Sequence, residues 1–459
     1  MYTKDTIAAI STPAGEGAVG IIRVSGPDAL NAAFEIFRTP GEKKDLRERY
    51  LYYGNIEDGG AVLDSACMVF MRGPRSYTGE DTVELHCHGG TLVLKKVLEA
   101  ILRRNARIAG PGEFTKRAYL NGKLDLAQAE AVIDIIRAQT ETALSSAQAR
   151  LGGTLSKTVY EVRNTLLDLL MHLEAELDFP EDEIDPLPKD EIETGLSKAE
   201  GSLRKLLSTY EEGRVLREGV KVLILGRPNV GKSSLLNILL KEERAIVTPV
   251  PGTTRDVIEE VINLRGIPVR LMDTAGLRET SDHVEAIGVR AAKEKIRGAQ
   301  LILYVVDASA PDYAEDTELI RCAEGKQVIV VHNKADLSFN LELAAAAFNG
   351  YNIRPVSALT SDGIEELKDD IYAEATGRSY GAALESAPGG MIASLRHKES
   401  IEKSLHGIIR TRAAVGEGLP REFIATDLRW ALDMLGEITG ETTTEDILDK
   451  IFSSFCIGK

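Results

Sequence analysis

The period of the apolar positions changes along the chain, and each change marks a different kind of element. Up to about residue 120, β-branched runs such as "GAVGIIRVSG" and "VLDSACMVF" are bounded by glycine, proline or asparagine and predict strands. "LVLKKVLEAILRR" has helical spacing. From Leu124 the texture turns alanine- and leucine-rich. Leu166, Leu169, Leu170, Leu173 and Leu177 recur on one face of a helix, which "FPEDEIDPLP" ends with prolines and acids. A further helix is predicted over about 190–215. From Val220 to about Tyr372 the runs "VKVLIL", "VRLMD", "LILYVVD", "QVIVVHN" and "IRPVS" alternate with helical stretches, which predicts a mostly parallel sheet with helices on both faces. "GRSYGAALESAPGG" reads as a linker, and beyond it Ile401, Leu405 and Ile408 share a helix face. The predicted architecture is multidomain, α/β plus all-α. It has an N-terminal α/β domain (1–120) and a discontinuous helical domain (121–215 and 381–459). A second α/β domain (216–380) is inserted between the helical halves, so that movement in it can reach the helices.

Composition narrows the setting. Charged residues are 27% and hydrophobic ones 43%, as in an ordinary globular protein. The first residues, "MYTKDTIAAIST", lack the apolar core of a signal peptide, and no stretch reaches the roughly 18 apolar residues of a membrane span. Cys67, Cys87, Cys322 and Cys456 are too scattered for a disulfide framework, so a reducing, cytoplasmic setting without membrane attachment is expected. A net charge of −16 opposes non-specific binding to nucleic acid, so an RNA substrate would need a local basic patch or a partner's help. One candidate patch runs through Lys95, Lys96, Arg103, Arg104, Arg107, Lys116, Arg117 and Lys123; a solvated helix face is the alternative.

Candidate chemistry enters with "GRPNVGKS", Gly226 to Ser233, which fits G-x-x-x-x-G-K-[ST] between the strand "VKVLIL" and the helical "SLLNILL". Its glycines let backbone N–H groups approach phosphates, Lys232 would bridge the outer phosphates, and the Ser233 hydroxyl would ligate Mg²⁺. "DTAG" ends the next strand, where Asp273 can hold magnesium through water and the Gly276 N–H can meet a γ-phosphate. "NKAD" follows the strand "QVIVVHN". A carboxylate at Asp336 accepts from guanine N1–H and its exocyclic amine, whereas adenine would leave that carboxylate unpaired. "SAL" fits a backbone cradle for the guanine oxygen, so GTP and not ATP is the expected ligand. "GTTRD" lies where a γ-phosphate-sensing switch belongs, with Thr254 as the second hydroxyl on Mg²⁺. The nucleotide set from these motifs is Asn229, Val230, Gly231, Lys232, Ser233 and Ser234; Gly252, Thr253 and Thr254; Asp273, Thr274, Ala275 and Gly276; Asn333, Lys334 and Asp336; and Ser357, Ala358 and Leu359.

Leu277 stands where Ras-type enzymes carry a water-orienting glutamine. Hydrolysis then needs another group, and Glu279, Asp282 and Glu285 are all available in "LRETSDHVEAIG". No arginine finger in the chain is evident either, so positive charge must come from a partner, a second subunit or a bound cation.

The ordered set GRPNVGKSS, GTTRD, DTAGLRET, NKAD and SA resembles the GTPases with leucine after DTAG. Together with "DTIAAISTPAGEGAVGIIRVSG", "SYTGEDTVELHCHGG", "RIAGPGEFTKRAYLNGKLDLAQAEAV" and the terminal "FCIGK", essentially the whole chain resembles the MnmE (TrmE) family of tRNA-modification GTPases. The resemblance implies that the N-terminal domain binds a tetrahydrofolate derivative (5,10-methylene- or 5-formyl-tetrahydrofolate) and forms a homodimer, and that the inserted domain is a Ras-like P-loop GTPase domain. It implies a K⁺ site at Asn229, Thr248, Val250 and Thr253, which would supply the missing positive charge, and it selects Glu285 as the water-activating group. It also extends the nucleotide set to Thr248, Pro249, Val250 and Pro251. Arg23, Glu84, Lys123 and Lys459 match folate-contacting positions, and Cys456 would reach that pocket as an acid/base or nucleophilic helper. The implied reaction, run with the flavoprotein MnmG (GidA) carrying FAD and NADH, adds an aminomethyl or carboxymethylaminomethyl group to C5 of the wobble uridine of certain tRNAs.

Two further motifs have plainer readings. "GEGAVG", Gly15 to Gly20, fits G-x-G-x-x-G but precedes a strand-like run where a dinucleotide site needs a helix. "HCHGG", His86 to Gly90, reads as a strand end and not a metal site, since no second ligand cluster accompanies it. The competing functional class is a GTP-controlled binding module without one-carbon chemistry.

Overall fold

The computed structural model describes residues 5–39, 47–178, 185–243, 260–272, 295–337, 341–377 and 390–459. The chain divides into two compact units: one holds residues 1–133 with Gly436–Lys459, the other Asp134–Leu435.

The first unit is built on a seven-stranded sheet of order β3-β4-β5-β6-β2-β1-β7, with β1 Ile7–Ile10, β2 Gly17–Ser25, β3 Phe37–Arg38, β4 Tyr52–Asp58, β5 Ala61–Met71, β6 Thr82–Gly89 and β7 Arg107–Ile108. All neighbours run antiparallel except β1 and β7. Alternation explains the layers. Ile22, Val24, Met68, Phe70, Val83 and Leu85 point to one face and form a core with the helices Ala29–Ile36 and Thr91–Leu102. The intervening residues face the other way, and Val19 and Tyr53 there are exposed. Strand β2 begins at Gly17, inside "GEGAVG", which removes the dinucleotide reading; "HCHGG" ends β6, as expected. Among the described residues no group of three or more His, Cys, Asp or Glu side chains is placed to hold a metal.

Gly436–Lys459 falls in the same compact unit as residues 1–133, and with it falls the first stretch of the expected helical domain, 121–133. The cause is apolar: Leu448, Phe452 and Phe455, from the helix Glu445–Ser453 and the residues after it, bury against Leu126, Ala129 and Ile133. Each large side chain so buried contributes about 1.5–3 kcal/mol.

The second unit holds a six-stranded sheet of order β13-β12-β11-β8-β10-β9. Its strands are β8 Val220–Leu225, β9 Glu260–Leu264, β10 Ile267–Met272, β11 Leu301–Asp307, β12 Gln327–Asn333 and β13 Asn352–Pro355. All pairs are parallel except β9–β10. The central strands are apolar on both faces, as a helix-covered parallel sheet requires. The helical part includes Thr154–Asp178, where Leu166, Leu169, Leu170 and Leu173 are buried as the stripe predicts, and Leu395–Glu417, where Ile401, Leu405 and Ile408 are buried. The single helix expected over about 190–215 is two, Lys189–Leu207 and Tyr210–Glu218. Among the described residues no helix is long and apolar enough to cross a membrane.

Candidate functional site

The described nucleotide-binding candidates lie at the carboxyl ends of the parallel strands β8, β12 and β13, where an open α/β sheet leaves its crevice. Asn333, at the end of β12 and almost fully buried, is a strut between two loops. Its Nδ2 donates to the Val230 carbonyl at 2.9 Å, and its Oδ1 accepts from the Ala358 N–H at 3.0 Å. The phosphate loop and the "SAL" loop are thereby fixed to one side chain. Gly231 is required by this packing: its φ is +97°, and a Cβ there would lie 2.1 Å from Asn333 Nδ2. Ser357 is buried and orients the next residue of interest, donating to Asp336 Oδ1 at 2.6 Å while its own oxygen accepts from the Leu359 and Thr360 N–H groups at 3.3 and 3.1 Å. The Asp336 carboxylate is therefore exposed but aimed. Lys334 is turned away and pairs with Asp307 at 2.5 Å.

Lys232 donates to the carbonyls of Gly226 and Arg227 at 2.8 and 2.6 Å, and burial holds its ammonium below the ordinary lysine value. Ser233 and Ser234 are exposed in the first turn of the helix Lys232–Glu243, whose N-terminus favours negative charge. Asn229 adopts φ +64°, a left-handed conformation that asparagine tolerates better than most residues. Thr248, Pro249, Val250, Pro251, Gly252, Thr253, Thr254, Asp273, Thr274, Ala275, Gly276 and Glu285 lie outside the described residues.

One contact at this site was not anticipated. Arg227, a variable position of the loop motif, pairs with Glu315 at 2.9 Å and approaches Asp316 at 3.7 Å. Burial pushes the Asp316 carboxyl above the usual carboxylate range, and Tyr304 donates to it at 3.1 Å. The x positions of a motif carry no sequence signal for such a pair.

A second constellation lies in the first unit. Arg23 and Glu84, cross-strand partners on β2 and β6, pair at 2.8 Å. The guanidinium lies 5.6 Å from the Tyr77 ring centroid and 5.7 Å from that of Phe114. Hydrogen bonding from His86, aided by Arg23, holds the Glu84 carboxyl below its usual range against the effect of burial. Lys459 is half-buried near both; burial, and then the Arg23 charge, push its ammonium down. Lys123 is exposed, donating to the Pro74 carbonyl at 3.0 Å beside the turn that carries Tyr77.

The C-terminus reaches this place because it is anchored. Ile457 bridges to Pro111, the Gly458 carbonyl accepts from Ser11 Oγ at 3.2 Å, and the Cys456 carbonyl accepts from the Gly112 N–H at 3.4 Å. Gly458 has φ +98°, and a Cβ there would sit 2.3 Å from the Ile10 carbonyl oxygen, so the approach demands glycine. The Cys456 side chain itself is exposed. A separate cleft of about 690 Å³ runs between the helices Glu113–Leu120 and Glu445–Ser453; none of Arg23, Glu84, Lys123 and Lys459 lines it.

Comparison with known proteins completes the description. The family model described as the GTP-binding protein TrmE N-terminus matches residues 6–123, and that of the MnmE helical domain matches residues 126–456. The tRNA modification GTPase MnmE of Geobacter sulfurreducens is 49% identical over 461 residues, covering 100% of both chains. The protein of the same name from Clostridioides difficile is 45% identical over 463 residues, again covering 100% of both. Among solved structures, the G domain of the T. maritima FeoB iron transporter is 29% identical over 34% of this chain and 98% of its own, with a TM-score of 0.27.

Proposed function

This chain belongs to the MnmE family of tRNA modification GTPases, and on that premise we propose that it is a K⁺-stimulated GTPase acting in modification of the tRNA wobble uridine. The observation that carries the nucleotide half is the Asn333 strut, which holds the phosphate loop and the base-reading loop together, with Asp336 aimed by Ser357. An aimed carboxylate suits the two donors of guanine and repels the acceptor of adenine. Asn229 and Ser233 present an amide and a hydroxyl oxygen; Thr248, Val250, Thr253 and Thr254 would add only oxygen donors, a set that suits hard cations such as Mg²⁺ and K⁺. Glu285 would orient and deprotonate the attacking water.

Arg23, Glu84 and Lys459 fit a tetrahydrofolate derivative. A carboxylate held ionised can accept from the amino-pyrimidine edge of a pterin, and the cations suit its carboxylate tail, with Lys123 beside them. When bound, the folate supplies the one-carbon unit. The anchored C-terminus supports this reading, because it brings Lys459 to the site and leaves the Cys456 thiol accessible as a helper. The exposure of Val19 and Tyr53, on the sheet face opposite the helices Ala29–Ile36 and Thr91–Leu102, supports a homodimer through this unit. The remaining partners are tRNA and an MnmG-type flavoprotein bearing FAD and NADH, in the cytoplasm.

Reconstitution tests the proposal. The full chain, GTP, Mg²⁺, K⁺, methylene-tetrahydrofolate, the flavoprotein with FAD and NADH, and a tRNA transcript with an unmodified wobble uridine should give a mass increase at that nucleotide. A non-hydrolysable GTP analogue, or Na⁺ in place of K⁺, should suppress it. GTP hydrolysis without any mass increase would instead favour the binding-module reading.

A further inference from the structure

Six of the eight cations of the basic patch expected from the sequence are paired with carboxylates in the fold; among the described residues, Lys95 and Lys123 are not. Arg103 and Arg104 both pair with Asp58, Arg107 with Asp5 and Glu113, Lys116 with Asp449, and Lys96 with Glu99. Arg117 is buried among Asp5, Glu80 and Glu113. Each of these charges has a carboxylate within ion-pair distance, which leaves little for a phosphate backbone.

A different cluster keeps its charge. Arg47, Glu48, Arg49 and Arg75 line a cleft of about 490 Å³ in the first unit. Three guanidinium groups there face one carboxylate, Glu48, which pairs with Arg75 at 3.2 Å while the Arg75 side chain stays 75% exposed. Among the described residues the Arg47 side chain has no carboxylate partner, and the Arg49 guanidinium donates only to the Arg75 carbonyl, at 2.6 Å. Arg72, from the same turn as Arg75, lies exposed with its guanidinium 5.8 Å from the Phe70 ring centroid.

The cluster is prearranged. The Arg47 N–H donates to the Tyr52 hydroxyl at 2.7 Å and the Arg49 N–H to the Phe70 carbonyl at 2.8 Å, which pins the 47–52 segment to the end of β5. Arg49 is held at φ +60°, a conformation uncommon outside glycine. Tyr50 stands exposed at the edge, its ring 4.8 Å from that of Tyr52. Converging like charges on a protein of net charge −16, next to an exposed aromatic ring, make a local anion site on a surface that otherwise repels anions.

We propose that Arg47, Arg49 and Arg75, with Tyr50 as a stacking neighbour, contact the phosphodiester backbone of the tRNA substrate. This rests on the tRNA reading given above. Arginine is suited to phosphate by its planar fork of donors. Contacts of this kind set position and affinity but carry no sequence information, so tRNAs with different anticodons use the cluster equally.

The test is fluorescence anisotropy of a labelled, unmodified tRNA transcript titrated with the full chain between about 50 and about 200 mM KCl. In the triple variant Arg47→Ala, Arg49→Ala, Arg75→Ala the affinity should fall by about tenfold or more, and the slope of log K against log salt should become shallower by about 2. GTP turnover without tRNA should be unchanged, which controls for folding. The triple lysine variant should recover most of the slope, because it restores the charge. Wild-type affinity and slope in the alanine variant would overturn the proposal while leaving the tRNA reading intact. Absence of tRNA binding by the unaltered chain would overturn both. Normal tRNA binding with loss of the flavoprotein partner would reassign the cluster to a protein interface.

Discussion

The two candidate sites are assembled in opposite ways. The base-reading end of the nucleotide site is made from consecutive strand ends of one parallel sheet. Asn333 and Ser357 tie its loops to one another, so Asp336 is aimed before any ligand arrives. The Arg23–Glu84–Lys459 constellation is made from the two ends of the chain and depends on a tail that is held by a few contacts around Pro111, Ser11 and Gly112. A site of the first kind fails by losing a partner for its ligand. One of the second kind fails by losing its anchor, and the two should be separable by mutation.

The largest effect is expected at the aimed carboxylate. Asp336→Asn replaces an acceptor by a group that presents a donor to guanine N1–H. Two charge-assisted hydrogen bonds are lost and the donors are left unmatched, so GTP affinity should fall by about 10³-fold. Folate binding should be unchanged. Equilibrium binding of a fluorescent GTP analogue and of 5-formyl-tetrahydrofolate to the same preparation measures both. A loss of less than tenfold in GTP affinity would mean that Asp336 does not read the base, and a parallel loss of folate would break the separation between sites.

The tail should be the next most sensitive point. Gly458→Ala forces a Cβ against the Ile10 carbonyl at a positive φ, at a cost of about 1–3 kcal/mol that the tail can avoid by detaching. Folate affinity should then fall about tenfold or more, by the same free energy, while GTP turnover without tRNA stays normal. Cys456→Ser, at an exposed side chain, should leave folate binding intact and impair only the modification reaction. Full folate affinity in the alanine variant would show that anchoring of the tail does not build the site.

The same contrast explains what could be read from the sequence. Local periodicity gave five of the six strands of the nucleotide unit, missing the edge strand β9, and it gave the leucine stripe, because β8, β11 and β12 are apolar on both faces and Leu166, Leu169, Leu170 and Leu173 repeat with the helix period. The phosphate-loop and base-reading motifs are contiguous, so their spacing carried their chemistry. Partnership over long separations was not legible. An amphipathic pattern shows that Leu448 and Phe452 must be buried, but not that Leu126 and Ile133 bury them. The pairing within the candidate basic patch was hidden in the same way, since Arg103 and Arg104 find Asp58 through the fold and not along the chain. Arg23, Glu84 and Lys459 came only from the family resemblance, because nothing local links a strand residue to a terminal lysine.

The smallest expected effect concerns pH. His332 immediately precedes Asn333, is fully buried, and lies 2.6 Å from the Tyr313 hydroxyl through its Nε2. Burial holds its imidazole below the ordinary value of 6.5. The folded chain therefore keeps His332 neutral where the unfolded chain takes up a proton. Its contribution to stability is lost as pH falls from about 6.5 towards the folded value, at up to about 1.4 kcal/mol per pH unit. Asp316, raised by burial, acts in the opposite sense, adding stability as pH falls through its raised value towards 3.8. In the first unit, Glu84 and Glu113 are held below their ordinary 4.5, so the stability they contribute is lost only at still lower pH. Mild acid should thus soften the nucleotide unit alone. Urea unfolding followed by the fluorescence of Trp430, which lies in the same unit, should show a lower midpoint at pH 5.5 than at pH 7, and His332→Gln should flatten that difference. An equal fall in both proteins would detach the pH dependence from His332. The acid sensitivity would then have to come from carboxylates, and the distinction between the two sites in mild acid would disappear.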